Sequence, residues 1–211
     1  MSSLHDREEF KRGRIGERIV ALIMRSCGYF VIPSYDYGGS DGNKAPKMQG
    51  PKLALVIPDL DIVRGGKRHW VEVKTKDHAD FTRITDQLEH GIDLRHFEHY
   101  QRVESESGCD VVVSVFEEST GDVLASTLRR IAKVGRLSPR FNCGRGGYFW
   151  PRSVMTQIAS VSRNGAVYDI CILARLAANP GFRWIPIRED FEGLKFRVTD
   201  RPRGQASLVA S

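Results

Sequence analysis

Four ionisable side chains in the stretch 58–76 have types and spacing that could do chemistry: Asp59, Asp61, Glu72 and Lys74. Gly65-Gly66 between them is a dipeptide typical of a two-residue hairpin turn. If these glycines form the turn, Asp59 faces Glu72, because each step away from the turn pairs one residue from each strand. Side chains alternate along a strand, so the four ionisable groups share one face of the hairpin.

Two opposed carboxylates in a hairpin need an explanation, because like charges about 5 Å apart across a sheet repel each other. A divalent cation would remove this repulsion, and carboxylate oxygens are the ligands that magnesium and manganese prefer. Lys74 could then offset charge, orient a water molecule or stabilise charge on a phosphoryl group. The competing interpretation is a solvated strand face with alternating charges. The pattern favours a metal site that meets a polyanion.

The elements that position these groups follow from apolar periodicity and turn residues. In chain order we expect a helix over 6–27, a strand over 29–33, a loop over 34–52 and the hairpin over 53–75. These are followed by a helix over 78–108, broken near Gly91, a strand over 109–118, a strand or helix over 123–135, and a helix that starts at Pro151. This order predicts an α/β fold with a mixed central sheet and helices on both sides.

Weaker periodicity near the end of the chain predicts a division into two parts. Residues 1–160 form the expected domain, and 161–211 form a C-terminal extension. Its last segment, 201–211, has low hydrophobicity, so we expect it to be frayed.

The composition is that of a globular protein: the 211 residues are 41% hydrophobic and 27% charged. No apolar run approaches the roughly 20 residues of a membrane span, and the charged N-terminus has no apolar signal core. The four cysteines are scattered and predict free thiols in a cytoplasmic protein, without a zinc site. A net charge of +6 favours polyanionic partners such as nucleic acid.

Several of these residues form motifs that resemble the PD-(D/E)xK, or restriction-endonuclease-like, nuclease superfamily. Pro58-Asp59 matches the first half of its motif, and Glu72-Val73-Lys74 matches the second. Gly16-Glu17 in the first helix and Gly28-Tyr29 ahead of the first strand match further features of many members. The stretch from His96 to Tyr100 is a looser match to the Gln-x-x-x-Tyr of some members. The resemblance covers roughly residues 10 to 130.

The resemblance implies a restriction-endonuclease-like fold and magnesium-dependent hydrolysis of phosphodiester bonds, with manganese as a substitute. Asp59, Glu72 and the carbonyl of Val73 would hold the metal, with Asp61 as an alternative to Asp59. Lys74 would position or activate the attacking water. Glu17 would contribute through the metal or a bound water.

Contacts to nucleic acid, with DNA as the expected partner, are assigned to basic and aromatic residues outside the motif: Lys44, Lys47, Lys52, His96, Tyr100, Arg145 and Arg152. Ordinary roles compete for each of them, such as a core position for Tyr100 and a plain loop for the two arginines. A homodimer is a further expectation.

A different class of function is also consistent with the sequence. The same fold could serve as a nucleic-acid-binding or assembly module without catalysis. The intact Asp59, Glu72 and Lys74 argue against this class, because repelling carboxylates beside a polyanion bring a pure binder no benefit.

Overall fold

The computed structural model describes residues 8–34, 46–51, 53–173, 185–191 and 193–199. Helices α1 to α3 span Glu8–Ser26, Leu94–Ser107 and Leu128–Val134. Strands β1 to β15 span, in order, Phe30–Pro33, Lys47–Gln49, Ala54–Val56, Leu60–Arg64, Lys67–Lys76, Asp80–Thr82, Gln87–Asp93, Val111–Glu117, Asp122–Thr127, Arg136–Ser138, Gly147–Pro151, Thr156–Asn164, Val167–Ile172, Arg188–Phe191 and Leu194–Thr199.

A nine-stranded sheet, ordered β1-β4-β5-β8-β9-β12-β13-β15-β14, forms the centre of the fold. Two of its pairings, β5 with β8 and β13 with β15, are parallel, and the others are antiparallel. A separate four-stranded sheet has the order β10-β11-β7-β6, and β2 pairs with β3. The central sheet is therefore mixed, as the sequence predicts.

Helix α1 covers one face of the central sheet. Its residues Ile19, Leu22 and Ile23 have no exposed surface, and they pack with buried residues of β4, β5, β12, β13 and β15. The run "IVALIM", residues 19–24, is apolar on nearly all sides of the helix. This agrees with the burial of the second half of α1 on more than one side. Gly28, with φ of 79°, follows the end of the helix in the left-handed conformation expected of a stop.

Helices α2 and α3 cover the opposite face. Phe97 and Val103 of α2 and Ile131 of α3 pack with sheet residues such as Val113 and with Trp150 of β11. Helices on both sides of a mixed sheet confirm the predicted fold class.

The helix predicted over 78–108 is wrong in its first half, where the chain forms the β6–β7 hairpin. Phe81 lies opposite Leu88 across that hairpin, and Asp86 takes a left-handed conformation with φ of 53° in the turn. A Cβ at Gly91 would overlap the ring of Phe149, so this glycine allows β11 to lie against β7. Cross-strand packing overrides a helical pattern here.

Two further element predictions differ from the structure. The helix expected after Pro151 is only a 3₁₀ turn over Arg152–Val154, because the chain continues directly into β12. The loop expected over 34–52 contains β2, and its residues 35–45 lie outside the described residues.

The boundary predicted at residue 160 lies inside β12. The described part of the extension adds β13, β14 and β15 to the same central sheet, and α1 packs against two of these strands. The division into a domain and an extension stays a prediction, and 201–211 lies outside the described residues.

No helix in the described ranges is both long enough and apolar enough to cross a membrane. The cytoplasmic location and the homodimer stay predictions.

Candidate active site

The predicted hairpin forms with the predicted register. Arg64 pairs with Lys67 beside the glycine turn, and the ladder runs outward to the pair of Leu60 with Val71. Gly65 and Gly66 have φ values of 57° and 75°, which glycine adopts without a steric penalty. The register therefore places Asp59 next in line, opposite Glu72.

Asp59 lies where β4 and β5 separate. Its Oδ2 accepts a hydrogen bond from the Val73 N–H at 2.8 Å, and its carbonyl oxygen accepts one from the Ser34 N–H at 2.7 Å. The N–H and the carbonyl of one strand residue point to the same strand edge, so the Val73 carbonyl is also directed toward Asp59. The carboxylate is thus fixed at a gap between strands.

Glu72 and Lys74 project from the β5 face that carries Trp70, because side chains alternate along the strand. The Glu72 side chain is only 1% exposed, and its Oε1 forms an ion pair with Lys74 Nζ. The second carboxylate oxygen, Oε2, is buried and has no hydrogen-bond partner in the described structure. A buried carboxylate oxygen without a partner is costly, so Oε2 is available to a ligand such as a cation or a water.

Glu17 reaches the site from α1 because the helix approaches β5 closely at the preceding residue. A Cβ on Gly16 would overlap Thr75 Oγ1 and would lie 3.4 Å from Thr75 Cβ, so only glycine fits there without a shift. Burial and then the charge of Glu72 raise the pKa of Glu17 to about 7, against an ordinary value of 4.5. Glu17 therefore titrates near neutral pH rather than in the acidic range of an ordinary glutamate.

The three carboxyl groups act on one another electrostatically. Burial, followed by the charge of Glu72, holds the pKa of Asp59 well above its usual range, and Glu17 raises it further. Lys74 and the hydrogen bond from Val73 act in the opposite direction without cancelling the shift. The site thus brings three acidic groups together beside Lys74, an arrangement that disfavours the charged forms of Glu17 and Asp59.

The side chains of the site can hold a divalent metal ion only together with further ligands, such as waters or substrate phosphates. In the ranges that the structure describes, no group of three or more histidine, cysteine or carboxylate side chains is arranged to hold an ion. Asp59 and Glu72 still supply two carboxylates, and Glu72 Oε2 lacks a partner. Magnesium commonly binds through one or two carboxylates and keeps several waters or substrate phosphates, so the donor set fits magnesium chemistry.

Asp61, the alternative to Asp59, is engaged elsewhere. Both of its carboxylate oxygens accept hydrogen bonds from Arg68, at 2.9 and 2.8 Å. The guanidinium of Arg68 lies 4.5 Å from the centre of the Trp70 ring, which holds it in place. The structure therefore brings Asp59 into the acidic cluster and ties Asp61 to an arginine.

His96, in the first turn of α2, also belongs to the site. Burial and then the charge of Lys74 lower its pKa, while Glu72 acts in the opposite direction. Lys76 and Asp93 were not anticipated, yet Lys76 lies within electrostatic range of both Lys74 and Asp93. Side chains alternate along a strand, so the spacing Lys74-x-Lys76 places both lysines on one strand face. This spacing is the sequence signal that points to Lys76.

The remaining candidates for nucleic-acid contact are scattered. Lys47 and Arg145 are exposed, whereas Tyr100 is 3% exposed and packs in the core. Lys44 and Lys52 lie outside the described residues.

Arg152 is part of a network of charged groups. It donates to both carboxylate oxygens of Glu117 and to Asp122, and Glu117 also contacts the buried ring of His90. These contacts connect β7, β8 and β9, so the interactions of Arg152 are with neighbouring strands of the protein.

Comparisons with known proteins identify similar folds but no relatives in sequence. No family model matches the chain, and no curated protein matches it. The structure is similar to Hjc, a Holliday junction resolvase from Archaeoglobus fulgidus, with 14% identity and a TM-score of 0.44 over 70% of this chain and 92% of that one. It is also similar to D212, a nuclease from a fusselovirus, with 11% identity and a TM-score of 0.41 over 75% of this chain and 89% of that one.

These likenesses are too distant to carry an argument about activity or family. A mixed sheet lies between helices, Asp59 lies at the gap between two strands, and Glu72 and Lys74 project from the next strand. The described architecture therefore has the mixed α/β fold that the sequence predicts.

Proposed function

We propose that this protein is a metal-dependent nuclease that hydrolyses phosphodiester bonds, with DNA as its substrate. The observation that carries the proposal is the convergence of Glu17, Asp59 and Glu72 around Lys74 where β4 and β5 separate. Like charges brought together under partial burial destabilise the fold, and a cation bound beside a phosphate would offset that cost.

Asp59, Glu72 and the Val73 carbonyl would hold magnesium or manganese, which supplies Lewis-acid stabilisation of a phosphoryl oxygen and lowers the pKa of bound water. The hydrogen bond from the Val73 N–H fixes Asp59 Oδ2 before substrate arrives, so this ligand is preorganised. The pairing of Glu72 with Lys74 aligns the buried carboxylate.

Lys74 and Glu17 have roles of their own in this mechanism. The Lys74 side chain is 28% exposed, so its ammonium group can orient a water or stabilise charge on a phosphate oxygen at the surface of the site. The Glu17 carboxyl has a pKa of about 7, because of burial and Glu72, so it can accept a proton near neutral pH.

The proposal is tested by incubating the protein with supercoiled plasmid, linear duplex, single-stranded DNA and RNA, with Mg²⁺, with Mn²⁺ or with EDTA. We expect metal-dependent cleavage of DNA that falls by at least about 100-fold in Lys74→Ala, the scale seen when a preorganised charge-stabilising group is removed. Lys67→Ala is the matched control, because Lys67 is exposed at the other end of β5.

Circular dichroism and thermal unfolding should show that both variants remain folded. Cleavage by Lys74→Ala at the wild-type rate would refute the proposed role of the site. Binding of nucleic acid without cleavage under any metal condition would instead favour the non-catalytic binding module.

A further inference from the structure

The charges of this protein are distributed unevenly along the chain. Between Asp122 and Asp169 there is no aspartate or glutamate, while the same segment contains eight basic residues: Arg129, Arg130, Lys133, Arg136, Arg140, Arg145, Arg152 and Arg163. A segment of this length with charges of one sign produces a strongly positive surface unless other parts of the chain neutralise it.

Neutralisation is incomplete. Arg129, Arg136 and Arg152 form ion pairs with acidic residues from other elements. The other five are exposed and have no ion pair within the described ranges. Of these, Arg163 lies on β12 and donates to the Gly165 carbonyl. The remaining four are Arg130, Lys133, Arg140 and Arg145. Their charge is therefore available to a partner of the opposite sign.

These four cations lie on one continuous stretch, which we call the basic ridge. It consists of seven exposed side chains from α3, β10 and the turn that follows: Arg130, Lys133, Val134, Leu137, Arg140, Phe141 and Arg145. Val134, Leu137 and Phe141 are 50%, 53% and 42% exposed. Cations interspersed with exposed apolar groups suit the phosphates and sugars of a nucleic acid.

The end of the basic ridge is held rigidly. Asn142, Cys143 and Gly144 have φ values of 50°, 55° and 86°, a run of left-handed residues that only a well-supported turn maintains. The Gly146 N–H donates to the Phe141 carbonyl at 3.0 Å and closes the turn. Arg140 and Arg145, which flank this turn, are thus presented from a fixed backbone.

The same turn is attached to the N-terminus of α2. The Leu94 N–H donates to the Gly146 carbonyl at 3.1 Å, and Asn142 Nδ2 donates to Asp93 Oδ1 at 3.2 Å. The first turn of α2 also carries His96, which lies within electrostatic range of Lys74 and Glu72. The basic ridge therefore begins beside the candidate active site and leads away from it along β10 and α3.

We infer that the basic ridge binds the sugar-phosphate backbone of duplex nucleic acid outside the cleavage site, so that the substrate is an extended polymer. The inference rests on the proposed function, because that function places the substrate in the active site from which it extends along the ridge. The inference assigns contact with the nucleic-acid backbone to Arg130, Lys133 and Arg140, which lie outside the motif of Asp59, Glu72 and Lys74. Arg145 belongs to the same group. Each cation that contacts a phosphate releases condensed counterions, so the ridge adds affinity and salt dependence.

The test is duplex binding by fluorescence anisotropy in EDTA, which separates binding from cleavage. Labelled duplexes of about 8 and about 30 base pairs are titrated over a range of salt concentrations. The ridge variant is Arg130→Gln, Lys133→Gln, Arg140→Gln and Arg145→Gln together. The matched control removes the same charge elsewhere, at four exposed positions: Lys11→Gln, Lys67→Gln, Arg102→Gln and Lys195→Gln.

We expect the wild-type protein to bind the longer duplex at least about 10-fold more tightly than the shorter one. The ridge variant should lose this gain, and its slope of log affinity against log salt should fall by about 3 to 4 units for the four cations. The control should lose far less of either quantity. Equal losses in both variants, or wild-type length dependence in the ridge variant, would overturn the inference.

Two more measurements distinguish duplex binding at the basic ridge from binding to a membrane surface and from the proposed cleavage. If the ridge variant loses binding only to vesicles with anionic headgroups while duplex binding is unchanged, the partner is a membrane surface and the inference is overturned. An absence of cleavage by the wild-type protein would refute the proposed nuclease activity. The dependence of affinity on duplex length in EDTA would still show whether the basic ridge binds duplex nucleic acid.

Discussion

The charge balance of a few residues accounts for the chemistry that we propose. Asp59 and Glu72 lie opposite each other at the gap between two strands, and Lys74 pairs with Glu72. The cluster is strained electrostatically, because burial and neighbouring charge raise the pKa values of Asp59 and Glu17. In the absence of a metal ion, protonation of these carboxyls relieves the strain.

That relief makes the stability of the metal-free protein depend on pH. The pKa of Glu17 rises from 4.5 to about 7 on folding, so its contribution to stability is present below pH 4.5 and is lost as the pH rises through about 7. The shift corresponds to up to about 3 kcal/mol. We expect Glu17→Gln to reduce the fall in the free energy of unfolding between pH 5 and 8, measured by urea denaturation in EDTA.

Glu9→Gln is the control, because Glu9 is exposed on the same helix. It should keep the pH dependence of the wild-type protein. A Glu17→Gln variant whose free energy of unfolding falls as steeply as that of the wild type would show that Glu17 is not part of the acidic cluster.

Most of this residue-scale site could be predicted from sequence. The Gly65-Gly66 turn fixed the register, and side-chain alternation then placed Asp59, Glu72 and Lys74 on one face. The engagement of Asp61 with Arg68 and the proximity of Asp93 to Lys76 could not be predicted. Both depend on rotamers and on helix docking, which a linear pattern does not specify.

At the scale of elements, the close approach of α1 to β5 positions Glu17. Gly16 makes the approach possible, since a Cβ there would overlap Thr75 Oγ1. We expect Gly16→Ala to lower the free energy of unfolding by about 1 to 3 kcal/mol, a typical cost of overpacking. It should also reduce cleavage, because the helix must move away from β5. Chemical denaturation and the plasmid assay measure the two effects.

Gly13→Ala on the same helix is the matched control. No atom lies within 4 Å of a Cβ built there, so alanine should stabilise the helix by about 0.5 to 1 kcal/mol. Adding Thr75→Ala to Gly16→Ala removes the overlapping oxygen and should recover much of the lost stability. Destabilisation of equal size by alanine at both glycines would contradict the packing argument.

Sequence patterns predicted elements well where local signals and packing agree. Helix α1 and strand β8 have strong apolar patterns and form within a few residues of their predicted bounds. The β6–β7 hairpin was missed because its residues have helical periodicity and its turn centres on Asp86 rather than on a glycine. Its strands are specified by contacts with β11, which are distant in sequence.

At the scale of the whole molecule, the C-terminal strands complete the core under α1. Ile170, Ile172, Phe196 and Val198 are at most 3% exposed and belong to the same cluster as Ile19. Arg18 and Arg25 of α1 also form ion pairs with Glu189 of β14. The weak periodicity of these strands did not predict that they would join the central sheet.

This arrangement predicts how truncation affects folding. Each fully buried large apolar side chain contributes about 1.5 to 3 kcal/mol, so losing four of them approaches the whole stability of a typical domain. We expect a chain that ends at residue 160 to lack a cooperative unfolding transition in calorimetry. A chain that ends at residue 199 keeps all of the described strands and should unfold cooperatively. Cooperative unfolding of residues 1–160 would instead support a separate domain.

The most direct test of the account is Mn²⁺ binding to the protein without substrate, measured by calorimetry at pH 8. We predict one ion per chain, with at least about 10-fold weaker binding in Asp59→Asn and in Glu72→Gln. Binding by Asp61→Asn should stay close to that of the wild type, because Arg68 holds that side chain. Wild-type affinity in Glu72→Gln, or a folded wild-type protein that binds no Mn²⁺, would contradict the central claim that these carboxylates hold a metal ion.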